Sequence, residues 1–338
     1  MASQPLQDHA EAIDLGLVSR LFREAGIEPA GPLRADLLSG GRSNLTFVLT
    51  DGASEWVLRR PPLGHVLATA HDMDREARVQ RALGRAGFPV PRVVVTSADP
   101  SFYVMARVPG TVLRTDADLA AVPVARRRAL GEAYVDALAA LHAVDPGAVG
   151  LGDFGRPAGF AGRQVARWSK QLAGSRSRDL PGLDELATRL ANAVPADQRG
   201  AVVHGDFRLD NMIFDLSGAP ELRAVLDWEM STLGDPLTDL GLVWLFWEGW
   251  RGIDNPIAGT AGTHEGYPSW GELAQRYRRR SDLRLDDFAW YQAFACFKLA
   301  VILEGIHYRH AQGLTVGEGF ASIGDMVEPL VSRGLDLV

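Results

Sequence analysis

A single cysteine among 338 residues leaves no internal disulfide to stabilise the fold, and the setting of that residue, Phe294-Ala295-Cys296-Phe297, is that of a buried thiol rather than a nucleophile. Long apolar runs are also missing. No segment reaches the roughly 18 uncharged apolar residues that a membrane span requires, so no membrane partner is expected. The start of the chain, Met1-Ala2-Ser3-Gln4-Pro5, lacks a basic stretch leading into an apolar one, and a cytoplasmic protein is the expectation. Positive charge is not in excess: 35 Lys and Arg stand against 42 Asp and Glu, a net charge of −7. Binding to a nucleic-acid backbone needs concentrated cations, so no nucleic-acid partner is expected. The basic cluster Arg278-Arg279-Arg280 reads as a solvated helix end. Internal repeats and low-complexity segments are absent too.

What is present is an ordinary globular composition, 46% hydrophobic and 23% charged, in a chain long enough for two lobes. Leu15, Val18, Leu21 and Phe22 recur at helical spacing and predict an opening helix. Two β-like runs, Leu45–Thr50 and Trp56–Leu58, flank Asp51-Gly52 and predict a hairpin. A helix over Met73–Leu83 and strands at Val90–Val95 and Phe102–Met105 complete the first lobe, for which the boundary is placed at residues 1–110. Residues 111–338 read as mainly helical, with long helical stretches at Ala129–His142, Leu240–Trp250 and Phe288–His310. Strands interrupt them only at Ala201–Val203, Met212–Phe214 and Ala224–Leu226. The expected class is therefore α+β.

Those three short strands bracket the polar residues of greatest interest. Asp206 and Asn211 stand five apart in the loop between the first two, and Asp227 follows the third. Phosphoryl transfer needs such a set: one carboxylate to orient and deprotonate a hydroxyl, and hard oxygen ligands for Mg²⁺. Asp206 would be the base, with Asn211 and Asp227 as metal ligands. A metal-dependent hydrolase, or a glycosidase with Asp206 and Asp227 as its carboxylate pair, could use the same residues.

The run His204-Gly205-Asp206 followed by Asn211 resembles the catalytic loop of the aminoglycoside phosphotransferase and choline kinase family. That resemblance implies a protein-kinase-like two-lobed fold, a small antiparallel N-terminal sheet with a helix, and a larger, mainly helical C-terminal lobe. Protein kinases place Asp-Phe-Gly after the same aspartate-to-asparagine interval, where this chain has Asp227-Trp228-Glu229. The aspartate is kept and the Phe-Gly is not, which puts a movable activation loop in doubt. Gly234-Asp235-Pro236-Leu237-Thr238-Asp239-Leu240 is similar to the family segment in which the second aspartate, here Asp239, braces the catalytic loop. The resemblance makes His204 a loop-packing residue and puts Arg208 where protein kinases carry a Lys beside the γ-phosphate; pairing with Asp210 is the alternative role for that side chain.

In the first lobe, Gly40-Gly41-Arg42-Ser43-Asn44 is a small-residue turn without a Walker lysine. It stands where the family has its nucleotide-covering loop, so the resemblance assigns these five residues to phosphate binding. Arg59 occupies the place of the usual phosphate-binding Lys, and Glu76 would hold it toward the phosphates. The resemblance also implies adenine binding by backbone near Ala106 and Val108, with Met105 lining the pocket. Val57-Leu58-Arg59 followed by Pro61-Pro62 resembles the phosphotransferase domains found beside acyl-CoA dehydrogenases. The implied cofactors are ATP, with GTP as the variant, and Mg²⁺.

Past Trp250 the chain carries nine Lys and Arg against eleven Asp and Glu, too balanced to trap a polycation. Trp244, Phe246, Trp247, Trp250, Trp270, Trp290 and Tyr291 offer aromatic surface instead. The acceptor expected is a small-molecule hydroxyl, a hydroxyacyl or other non-polycationic compound. An aminoglycoside kinase and a nucleotide-binding pseudokinase module are the alternatives, the latter suggested by Arg59. The protein is expected as a monomer or homodimer.

Overall fold

Strict alternation along one strand organises the first part of the chain. In the computed structural model, which describes residues 13–38, 44–62, 72–176, 178–255, 258–313 and 322–338, the strand Glu55–Arg60 directs Trp56 and Leu58 to one side of a sheet and Val57 and Arg59 to the other. The chain divides into two compact units. The first holds the residues up to Gly110 together with Arg223–Ser231, and the second holds Thr111–Leu222 and Thr232–Val338.

The first unit is a five-stranded antiparallel sheet in the order β1-β2-β3-β5-β4, formed by β1 (Arg34–Leu37), β2 (Leu45–Thr50), β3 (Glu55–Arg60), β4 (Val93–Ala98) and β5 (Ser101–Ala106). On one face α1 (Leu15–Glu24) packs Val18 and Phe22 against Phe47, Leu49, Trp56, Leu58 and Val104. Burying a side chain the size of Phe22 contributes about 2–3 kcal/mol. On the other face α2 (Met73–Arg85) sets Met73 and Ala77 against Tyr103 and Met105. The expected hairpin is β2–β3, paired from Leu45↔Arg60 to Thr50↔Glu55. The pattern of the sequence did not announce β1, because a four-residue edge strand with alternate exposed positions buries too little to show an apolar signature.

The second unit consists of helices around short strands. These helices are α3 (Asp116–Ala121), α4 (Val124–Ala143), α5 (Phe160–Ser175), α6 (Pro181–Asn192), α7 (Leu237–Trp244), α8 (Trp270–Arg280), α9 (Phe288–Ala311) and α10 (Val327–Leu335). The central one is α9, against which α5, α6, α7 and α10 pack. A stretch of α9 is long and apolar enough by composition to cross a bilayer, but 78% of it is buried within the fold and it carries Lys298 and Glu304. Cys296 lies in this helix, fully buried, and burial pushes its thiol up to about 12. At Gly241 in α7 an added Cβ would collide with the backbone of Tyr291, so the glycine sets how closely α7 approaches α9.

Strand β6 (Ala201–Val203) pairs antiparallel with β9 (Thr232–Gly234), in the register Val202↔Leu233. Strand β7 (Met212–Asp215) follows the loop that leaves β6. Strand β8 runs Glu221–Val225, earlier than the expected Ala224–Leu226. It stops there because Asp227 has φ +63°, a left-handed conformation that an extended strand cannot contain.

Candidate active site

The β3 alternation that buries Trp56 and Leu58 on the α1 face brings Arg59 to the α2 face, opposite Tyr103 of β5. Arg59 is 8% exposed and is met there by carboxylates. Glu76 of α2 is 3.3 Å away, Asp227 is 2.9 Å away and Glu229 is 3.9 Å away. Burial alone would lower the guanidinium pKa, but Tyr103, Glu76 and Asp227 outweigh it and hold the group charged well above its ordinary value. Glu76 is 1% exposed, so it is no solvated helix carboxylate. Burial raises its pKa against the pull of Arg59, and the Tyr103 hydroxyl donates to Oε2 at 3.0 Å. Asn44 ties the cluster together: its Nδ2 donates to Glu76 Oε1 at 3.2 Å and to Glu229 Oε2 at 3.0 Å.

Asp227 carries the only positive φ of a non-glycine residue among those described. Such a conformation costs about 1–3 kcal/mol and persists where surrounding contacts hold it. Here Trp228 supplies the anchor: it is buried, donates from Nε1 to Val225 O at 3.1 Å and lies edge-on to Phe88. The Asp227 side chain stays about one-third exposed.

In the second unit, Gly205 has φ +84°, which favours glycine, and begins the turn that carries Asp206. The Asp239 carboxylate, from the first turn of α7, accepts from the N–H groups of His204 at 2.6 Å and Gly205 at 2.8 Å. Burial opposes its ionisation, yet the His142 hydrogen bond, the nearby imidazoles and the His204 N–H hold its pKa below the usual carboxylate range. Behind it, His142 Nε2 lies 3.4 Å from Asp239 and His142 Nδ1 lies 2.7 Å from the Tyr277 hydroxyl. Asp239 is thus the brace that was expected, backed by two helices.

Asp206 is held on three sides. Its N–H donates to His204 Nδ1 at 3.2 Å, while Asn211 Nδ2 donates to its carbonyl at 2.9 Å and to its Oδ2 at 3.0 Å. Burial raises the pKa of its carboxyl, opposed chiefly by Arg208. Arg208 makes a two-pronged contact with Asp210, and its guanidinium lies 4.8 Å over the Phe246 ring. Phe246 belongs to a π-helical turn, Leu245–Gly249, that continues α7. Beside the Arg208–Asp210 pair is a shallow, narrow recess lined by Leu113, Leu119, Tyr134, Phe246 and Trp247 together with Arg114.

The structure therefore brings Asn44, Arg59, Glu76 and Asp227 together in one unit and Asp206, Arg208 and Asn211 together in the other. Met105 is 7% exposed and packs with Met73, Ala77 and Tyr103 as core. The Ala106 N–H is engaged by the Arg92 carbonyl at 2.9 Å, while Val108 lies beyond the end of β5. Gly40, Gly41, Arg42 and Ser43 lie outside the described residues. Most of the C-terminal aromatic residues are core, and Phe246 and Trp247 are the two that reach the recess. Glu229, His142, Tyr277 and Lys298 were missed, and the only signal for Lys298 was a charge inside an apolar helix.

Oxygen donors suit Mg²⁺, which takes few protein ligands and completes its shell with water and phosphate oxygens. Asp227 offers a carboxylate oxygen in the first unit and Asn211 an amide oxygen in the second, and no group of three or more His, Cys, Asp or Glu side chains that could hold a metal ion occurs among the described residues. A nucleotide phosphate fits Arg59, whose Nε–H is buried without a partner among the described residues.

Comparison with known proteins gives a consistent outcome. The model of the phosphotransferase enzyme family matches residues 35–294. Acyl-CoA dehydrogenase family member 11 of Gallus gallus is 40% identical over 322 residues, 92% of this chain and 41% of that protein. The chain thus spans about two-fifths of the length of such curated relatives. Among solved structures, a Ralstonia eutropha protein named for the aminoglycoside phosphotransferases superposes with a TM-score of 0.83 at 32% identity, covering 96% of this chain and 98% of that one. An aminoglycoside phosphotransferase in ternary complex with AMP-PNP and hygromycin B shares the fold at 17% identity, with a TM-score of 0.59 and coverage of 95% and 97%.

Proposed function

The chain belongs to the phosphotransferase enzyme family, and on that premise we propose that it moves the γ-phosphoryl group of ATP, or of GTP, onto a hydroxyl of a small molecule, with Asp206 as the base and Mg²⁺ as the metal. The observation that carries this reading is the threefold hold on Asp206, whose backbone is fixed by His204 and Asn211 and whose carboxylate is fixed by Asn211. A carboxylate so restrained and still half-buried is oriented to accept a proton from a hydroxyl at the loop.

The other residues take the roles their surroundings favour. Arg59, kept charged and aimed by Glu76, holds nucleotide phosphates. Asp227 and the side-chain oxygen of Asn211 are the residues that would hold Mg²⁺, and the ion would supply neutralisation of charge on the transferring phosphoryl group. Arg208 is close enough to Asp206 to influence its charge and would offset negative charge on the phosphate after exchanging Asp210 for it. Backbone at Val108, and the carbonyl side of Ala106, would receive the purine. Relatives solved with AMP-PNP and with GDP support a purine nucleotide as the cofactor.

For the acceptor, we propose a hydroxylated acyl compound. The recess at the Arg208–Asp210 pair has a largely apolar and aromatic lining, the cation Arg114, and one carboxylate, Asp210, which is bound by Arg208. A polycation would find no free anion among those lining residues. Kinship with acyl-CoA dehydrogenase family members, of which this chain matches about two-fifths, points the same way. The test is ATP consumption and product detection by the purified protein with hydroxyacyl-CoAs, aminoglycosides, choline, homoserine and sugars. A phosphorylated hydroxyacyl product is expected. Turnover with aminoglycosides alone would overturn the acceptor, and thermal stabilisation by MgATP without any product would make the chain a nucleotide-binding module.

A further inference from the structure

We propose that Lys298 is a positioning residue of the catalytic loop: its ammonium sets the plane of the Gly205–Asp206 peptide and so the direction in which Asp206 leaves the backbone. The proposal rests on the assignment of Asp206 as the base. The chain has only two lysines against 33 arginines, and Lys298 is one of them. It lies midway along α9 in the run Cys296-Phe297-Lys298-Leu299-Ala300, where each of these neighbours is buried, and is itself 7% exposed. A lysine so placed is costly unless its charge is used. The other buried charge of the helix, Glu304, has an ordinary answer in Arg178, whose Nε lies 3.1 Å from it.

Lys298 has a different partner. Its Nζ donates to the carbonyl of Gly205 at 2.6 Å, and it sits 5.6 Å from the Trp168 ring centroid. That carbonyl and the Asp206 N–H belong to one peptide group. The N–H end is taken by His204 Nδ1 at 3.2 Å, and the C=O end by Lys298, so the plane is pinned at both edges. The preceding peptide is pinned in turn by Asp239, through the Gly205 N–H at 2.8 Å. Glycine at φ +84° has no Cβ to limit its rotation, and these contacts replace that limit. A neutral donor could hold the carbonyl, but the ammonium also places positive charge among the fixed carboxylates Asp206 and Asp239, both of which act on it electrostatically. Burial pulls the ammonium pKa down, and those two carboxylates oppose the pull.

A structural lysine and a positioning lysine differ in what their removal does. Lys298→Met removes one cation from beside Asp206 and Asp239 and the donor from the Gly205 carbonyl, so a fall in Tm is expected in either role and loosening of the loop is what separates them. Hydrogen exchange of the Asp206 amide, followed in the nucleotide-free protein, should speed up about tenfold, the scale of one lost charge-assisted hydrogen bond. With MgATP alone as the probe, the slow hydrolysis rate should fall about 10- to 100-fold at an unchanged KM for ATP. Lys298→Arg, which retains a charged donor, should recover part of both. Should Lys298→Met lose its fold, Lys298→Gln offers the same comparison. Unchanged exchange at Asp206 in a folded variant would overturn the proposal. Wild-type protein that hydrolyses no ATP, indistinguishable from Asp206→Ala, would count against the kinase reading itself, and the exchange measurement would still decide the role of Lys298.

Discussion

Arg59 Nη2 lies 2.9 Å from Asp227 Oδ1, which joins the cation assigned to the nucleotide phosphates to the carboxylate assigned to the metal, 168 positions along the chain. The same guanidinium reaches Glu76 at 3.3 Å through its other terminal nitrogen. A planar fork can hold two carboxylates at once, where the compact ammonium of a lysine is a single point charge. Arginine at this position is thus consistent with a working phosphate-binding residue.

Arg59→Met should leave Glu76 buried without its counter-charge, and we expect it to lower unfolding free energy by about 3–5 kcal/mol. Arg59→Met combined with Glu76→Gln should recover much of that loss without recovering nucleotide binding. Chemical denaturation and nucleotide titration of the two variants check this, and equal stability of the single and double variants would contradict it.

Asp206→Ala should abolish transfer while leaving nucleotide affinity within a few-fold of wild type, because Asn211 loses its bond to the Asp206 carboxylate but keeps the one to the Asp206 carbonyl. Asp227→Ala should weaken binding of MgATP as well. Calorimetric titration beside a turnover assay separates the two, and substantial turnover by Asp206→Ala would place the base elsewhere.

Asp239 links pH to stability. Its folded-state pKa is below that of an unfolded aspartate, so its contribution is present above the unfolded value, near 3.9, and is lost as pH falls through the folded one. Asp239→Asn should therefore lower Tm at pH 6–7, and the gap to wild type should narrow below about pH 4. A gap that stays constant across that range would mean that the two N–H bonds are not charge-assisted.

Gly241→Ala should destabilise the second unit by about 1–3 kcal/mol or more. A Cβ there would stand 2.9 Å from the Tyr291 carbonyl carbon, a backbone atom that no rotamer change can move aside. Gly271→Ala, in open space on α8, is the matched control and should be neutral or mildly stabilising.

Much of this protein was legible in the order of its residues. The β2–β3 hairpin announced itself through alternation around Asp51-Gly52, α9 through its apolar length, and the pairing of Asp206 with Asn211 through their five-residue spacing. Each of those signals sits within one continuous stretch of at most 24 residues. Tertiary packing decided the rest. Glu229 became a partner of Asn44 across 185 positions, Lys298 a partner of Gly205 across 93, and His142 a link between Tyr277 and Asp239. Packing also joined Arg223–Ser231 to the first unit, and with it Asp227 to Arg59. A buried charge shows in the sequence only as an oddity in an apolar run. Its partner is chosen by which helix or strand packs opposite, and local propensity carries no record of that choice.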